Sequence, residues 1–299
     1  PQIHAATPVP AHIAFVSSSP LNETDKEKLS QETEHELLQD VARNHPHLHL
    51  SILRWRASKP QIHAAARSNC CVLHFSGHCH WKKGLVIEET GQSNGKGAQK
   101  KFLGSDSLVE IFKGLGDKRP RVLFLAACHS KVVGQPVVEK GLVDYAIVCG
   151  EFQKLGDRGA PVFAKNFYQS LLSGKTSVSE AFESATNVLK EMAKERRETV
   201  ISTFKRHFQS HTKKEEYEEI HSKLKKKAEL YEYDIGWEMK EIRTKWYQRL
   251  HEWMKSEHIK ENEKEEIERM RNDLEWAQYL EEESVKYMLL QKTKKGDVR

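Results

Sequence analysis

Cys70–His80 reads CCVLHFSGHCH, and Val122–Ser130 reads VLFLAACHS. Each is an almost wholly apolar run of strand length that breaks abruptly into small and polar residues. Strands buried on both faces have this composition, because neither alternate set of side chains meets water. The first run breaks at Ser76-Gly77-His78 and the second at Ala127-Cys128-His129, so each predicts a strand with a reactive side chain just past its end.

Working outward, His12–Ser17 (HIAFVS) and Tyr145–Cys149 (YAIVC) have the same character, while His47–Arg54 (HLHLSILR) alternates and Gly84–Glu88 (GLVIE) is shorter. Helical spacing separates them. Asp25–Asn44 carries Leu29, Leu37, Leu38 and Val41 on one stripe, and Gln61–Ser68 follows Pro60, which suits a helix start. Ser105 caps a predicted helix to about Lys113. Pro161–Leu172 is ended by Gly174, and Val178–Lys194 is opened by Ser177. Apolar strands alternating with helices predict an α/β domain over residues 1–195, a mostly parallel sheet with helices on both faces. In such sheets chemistry gathers in the crevice at the carboxyl ends of the strands.

From about residue 196 to 299 charged residues dominate in helical spacing. Apolar stripes recur at Ile220, Leu224, Ala228, Tyr231 and Ile235, at Met239, Ile242, Trp246, Leu250 and Trp253, and at Ile267, Met270, Leu274, Ala277 and Leu280. The expectation is a second, coiled-coil-like segment of amphipathic helices. Trp237, Trp246, Trp253 and Trp276 read as buried stripe residues, with an interaction surface as the alternative.

The 299 residues hold 48 Lys+Arg against 43 Asp+Glu, a net charge of +5 with the signs interleaved. No aromatic-studded basic stripe stands out, so no nucleic-acid partner is expected. No apolar run nears the roughly 20 residues that span a bilayer, and mean hydropathy is −0.69, so the chain is expected to be soluble, without a membrane partner. The first residue, Pro1, reads as the start of a fragment or processed piece, so the lack of a signal peptide carries little weight. Five cysteines, Cys70, Cys71, Cys79, Cys128 and Cys149, form no disulfide-like pattern and suit reduced thiols in the cytoplasm.

If the two quoted strands are neighbours, His78 and Cys128 face one crevice, with the strands roughly 4.8 Å apart. An imidazole beside a thiol lowers its pKa or takes its proton, then protonates a leaving amine. Backbone N–H groups around Gly77–Cys79 and at Cys128 are candidate oxyanion donors. The plainer reading is that a cysteine ending a buried strand is a small core residue and a histidine beside glycine a structural one.

The two segments resemble the paired motifs of the CHAT domain family, relatives of separase and caspases. Its third strand reads as an apolar run and His-Phe-x-Gly-His-Gly, and its fourth as apolar-Leu-x-Ala-Cys-x-(Ser/Thr). Here they stand as His74-Phe75-Ser76-Gly77-His78-Cys79 and Leu125-Ala126-Ala127-Cys128-His129-Ser130. Phe163–Leu189 resembles the family's closing helices, and the likeness covers about residues 12–195. The resemblance implies a caspase-like three-layer sandwich and a metal-independent cysteine endopeptidase with His78 as general acid/base, Cys128 as nucleophile and no cofactor. Its substrate would be a protein or peptide, and the helical tail would join it to regulatory or sensor domains. Asp157 matches the place of an acidic specificity residue in separase-like members, which implies cleavage after Arg or Lys. Asp144 and Glu151 are weaker candidates for that role. Cys79 departs from the family's glycine, and a side chain there would cost energy if the position needs φ > 0. A catalytically silent scaffold is the alternative that this departure favours.

Three other motifs point elsewhere. His74, His78, Cys79, His80 and His129 crowd together as for zinc, but strand alternation would turn Cys79 away and no second ligand pair follows. Gly174-Lys175-Thr176 and Gly95-Lys96-Gly97 lack the glycines or hydroxyl of a phosphate loop. The loop Glu89–Lys101 reads as a flexible flap, or as a processing site if the enzyme prefers basic residues.

Overall fold

A computed structural model of the chain describes residues 12–18, 31–45, 51–89, 99–150, 159–174, 176–210, 268–269, 272–273 and 286–292. Two compact units are present, one of residues 1–190 with 280–299, the other of 191–279.

The first unit is built on β1 (His12–Ser17), β2 (Ser51–Arg56), β3 (Val72–Ser76), β7 (Val122–Ala126), β8 (Tyr145–Cys149) and β9 (Tyr287–Gln291). They lie in the order β2-β1-β3-β7-β8-β9; the first five are parallel and β9 runs antiparallel to β8. Every residue of β3 and β7 is buried; β7 is wholly apolar, while β3 also buries the polar His74 and Ser76. A small antiparallel sheet, β4 (Cys79–His80), β5 (Gly84–Glu89) and β6 (Gln99–Leu103), follows β3 directly. At the β4–β5 turn Gly84 has φ +95, and a Cβ there would stand 2.1 Å from the Leu103 carbonyl oxygen, so only glycine fits.

Helices cover both faces of the main sheet. Leu73 and Phe75 of β3 join a core with Ala65 and Ala66 of α2 (Lys59–Arg67), Ile111 and Phe112 of α3 (Ser105–Lys113), and Val133 and Val137 of α4 (Lys131–Glu139). The alternate side chains of β3 face α1 (Gln31–Arg43) and α5 (Gly159–Leu172), where His74 meets Glu34 and Tyr168. This is the expected mixed α/β sandwich around a mostly parallel sheet. α6 (Val178–Ser210) opens with a capping box, in which the Ser177 N–H donates to Glu180 Oε2 at 2.6 Å and the Glu180 N–H to Ser177 Oγ at 3.2 Å.

Several boundaries differ from expectation. Ser105 is the first helical residue, with Gly104 at the N-cap. α4 is a helix that the pattern does not announce, and β6 replaces part of the expected loop. The expectation of helix throughout 196–299 fails at Tyr287–Gln291, a strand whose Tyr287 ring stacks on Phe163 at 4.1 Å. In the second unit Arg196 pairs with Asp273. The expected apolar stripes from Ile220 to Ala277, with the four tail tryptophans, lie outside the described residues.

Candidate active site

β3 and β7 are hydrogen-bonded neighbours in register, Ser76 opposite Ala126. The Gly77 N–H extends the ladder to the Ala126 carbonyl at 3.2 Å. His78 and Cys128 therefore each stand two residues beyond the same rung, at the carboxyl ends of adjacent parallel strands. Both are half-buried. The His78 carbonyl accepts from the Val86 N–H at 2.8 Å, which ties its backbone to β5. Glycine at 77 is a matter of space: a Cβ would meet the Phe75 ring at 3.0 Å and Ser18 Cβ at 3.1 Å.

Cys128 occupies an elbow between strand and helix. After it His129 adopts φ 55, a left-handed conformation that turns the chain sharply into α4. Ser130, fully buried, fixes this turn with its hydroxyl, which donates to the Leu125 carbonyl at 3.1 Å and accepts from the Cys149 N–H at 2.8 Å. The Val133 and Gly134 N–H groups donate to the Ser130 carbonyl, closing the first turn of α4. Cys128 thus precedes a helix N-terminus, where unpaired backbone N–H groups favour negative charge.

Cys79 behaves differently from the sequence-based concern about it. Among the described non-glycine residues only Asn69 and His129 have positive φ, so Cys79 carries no left-handed strain. It is a β4 residue opposite Leu85, buried in the core. Burial pushes its thiol up to about 12, with a further push from the Cys128 and Cys149 sulfurs nearby. His78 and Val86 form the hydrogen-bonded rung, so Cys79 and Leu85 form the next, non-bonded rung. The Cys79 N–H therefore faces away from β5.

Other expected site residues fare unevenly. The Gly77 N–H is spent on Ala126, which corrects its assignment as an oxyanion donor. Asp144 is also corrected: it precedes β8 and lies at the amino end of the sheet, about a five-residue strand length, roughly 16 Å, from the crevice. Its carboxylate holds Arg121 Nε at 2.8 Å. Asp157 and Glu151 lie outside the described residues. Of the crowded histidines, His74 points to the α1/α5 face, and His80 Nδ1 accepts from the Lys82 N–H at 3.1 Å while its ring packs on Trp81. Among the described residues no three His, Cys, Asp or Glu side chains converge as a metal site.

Glu34, Tyr168 and Ser130 escaped the sequence reading. Ser130 had a signal, the hydroxyl residue of the Ala-Cys-x-(Ser/Thr) motif. Glu34 had one too: it sits four residues before Leu38 and seven before Val41, a carboxylate on a core-facing stripe. Tyr168 had none beyond an aromatic on a helix.

The mostly parallel sheet between two layers of helices is a caspase-like α/β sandwich. A CHAT domain family model matches residues 2–253, and the chain belongs to the CHAT domain family. That match continues past residue 195 into the charged segment. No curated protein matches the chain. Among solved structures the chain is similar to a secreted C11 cysteine protease from Bacteroides thetaiotaomicron, solved in complex with an irreversible peptide inhibitor. The identity is 13% and the TM-score 0.40, over 62% of this chain and 60% of the protease, so the chain spans about 60% of that protease's length.

Proposed function

We propose that this chain is a cysteine endopeptidase in which Cys128 is the nucleophile and His78 the general acid/base. The observation that carries the reading is the shared rung: His78 and Cys128 lie two residues past the paired Ser76 and Ala126. The elbow before α4 supports it, since helix N-termini favour thiolates.

The Cys128 thiolate attacks the scissile carbonyl carbon, and the carbonyl π electrons move onto oxygen. The N–H groups of Cys79 and Cys128 stabilise this oxyanion. As the C–N bond breaks, protonated His78 gives its proton to the departing amine, leaving a thioester on Cys128. His78 then takes a proton from water as its oxygen attacks the thioester. Collapse releases the carboxylic acid and returns the thiolate.

Asp157, with Glu151 as the weaker candidate, supplies a carboxylate for Arg or Lys at the cleavage position, and the helical segment connects the peptidase to regulatory partners. Five free cysteines support a reducing, cytoplasmic compartment. One observation favours the rival, a catalytically silent scaffold that binds partners through its cleft: the Gly77 N–H is engaged within the sheet, which leaves fewer open oxyanion donors.

A peptidyl electrophile with Lys or Arg next to the warhead separates the two. Covalent labelling lost in Cys128→Ala and in His78→Ala, with turnover of a basic fluorogenic peptide, is the expected result. Labelling that survives Cys128→Ala would sink the peptidase reading. Specific labelling without turnover of any peptide would favour the scaffold.

A further inference from the structure

Directly beneath the proposed active site, on the α1/α5 face of the sheet, four polar side chains are buried together. Ser76 Oγ donates to Glu34 Oε2 at 2.5 Å, Glu34 Oε1 faces His74 Nε2 at 3.2 Å, and His74 Nδ1 meets the Tyr168 hydroxyl at 3.0 Å. None is more than 4% exposed, so water does not screen them. The His74 ring is clamped, stacked on Phe124 at 4.3 Å and tilted against Phe15 at 5.1 Å. The His74–Glu34 contact is close but lies off the hydrogen-bond line, an electrostatic contact rather than an aligned bond. Burial also pushes the Tyr168 phenol well above its ordinary value, so it keeps its proton and can donate to Nδ1.

A carboxylate on the core stripe of a helix is a costly choice. Buried ion pairs and polar networks are usually no more stable than apolar residues of the same volume, and their recurrent use is to fix one geometry. The geometry in question is the end of β3. Ser76 is its last residue, its carbonyl accepts from the Ser18 N–H at 3.0 Å, and Gly77 and His78 follow at once.

We propose that Glu34, His74 and Tyr168 form a positioning network that acts through the Ser76 hydroxyl to hold His78 in register with Cys128. The inference rests on the dyad reading and deepens it. These residues touch no substrate. They set the direction in which the strand end delivers the imidazole.

The test uses the full chain and the pH profile of Cys128 alkylation by iodoacetamide, read by peptide mass spectrometry. His78→Ala defines the effect of losing the imidazole. Ser76→Ala and Glu34→Gln are expected to slow alkylation near pH 7 in the same direction, by about tenfold, equivalent to a one-unit rise in the midpoint. Ser76→Thr keeps the hydroxyl and is expected to restore the rate to within about twofold of wild type. The Ser76 pair decides the matter even if Glu34→Gln fails to fold. If His78→Ala alters the profile while Ser76→Ala leaves it at wild type, the positioning network is overturned and the dyad stands. If Ser76→Thr is as slow as Ser76→Ala, the hydroxyl is irrelevant and the network is again overturned. If His78→Ala itself changes nothing, the dyad falls and the inference with it.

Discussion

Burial separates Cys70, Cys79 and Cys149 from the half-buried Cys71 and Cys128. Cys70 and Cys79 are buried, and desolvation pushes their thiols up to about 11 and about 12. Cys71 is raised in the same direction and donates to the His12 carbonyl at 3.2 Å, while Cys149 is wholly buried. Cys128 is half-buried at the mouth of the crevice. Iodoacetamide at neutral pH is therefore expected to modify Cys128 first, at least about tenfold faster than the others, because the thiolate is the reactive form. Peptide mapping over a time course checks this. Ser130 gives a second prediction at the same scale. Ser130→Ala removes the acceptor of the Cys149 N–H and one of two donors to the Leu125 carbonyl, at a cost of about 1–3 kcal/mol. Urea denaturation should show that loss.

At the scale of elements, the site depends on α4 lying flush against the sheet. A Cβ on Gly134 would stand 2.5 Å from Val148 Cγ1. Gly134→Ala gains about 1 kcal/mol of helix propensity, yet overpacking costs about 1–3 kcal/mol. Net destabilisation is expected, with slower Cys128 labelling as the elbow shifts; melting curves and the iodoacetamide assay read the two effects. The same helix shows why parts of the fold were illegible. Lys131–Glu139 carries Gly134, Pro136 and four valines, each a poor helix former, and tertiary packing overrides them. Gln99–Leu103 opens Gln-Lys-Lys on an edge strand, so its composition mimics a loop. In contrast β1 and β8 match the expected residues because a strand buried on both faces is made mostly of apolar side chains. The strand ends that carry His78 and Cys128 were legible for a related reason: each follows a mostly apolar run. The Glu34–His74–Tyr168 cluster joins residues far apart in the chain, and no local pattern reports such a meeting.

For the whole molecule, strand direction corrects one site expectation and pH tests another consequence of burial. Asp144 precedes a parallel strand, so it had to fall at the end opposite Cys128; its sequence closeness to β8 concealed this. The raised thiols of Cys70 and Cys79 couple folding to protonation. The folded state keeps their protons where the unfolded chain loses them, so their stabilisation is complete below the unfolded value and declines above it. Melting temperature is expected to fall from about pH 8.5 upward, and Cys79→Val to flatten that fall. Differential scanning calorimetry between pH 7 and 11 checks it, with the disulfide route blocked by reductant.

β9 carries a further consequence. Tyr287–Gln291 closes the edge of β8, yet the paired residues Cys149 and Tyr287 are about 140 residues apart in the chain. During synthesis the first five strands leave the ribosome well before the sixth, and the nascent sheet must wait with β8 unprotected. Its late clasp is the slowest kind of contact to form, and a chain halted upstream of residue 286 would present an open edge to chaperones or to other copies of itself.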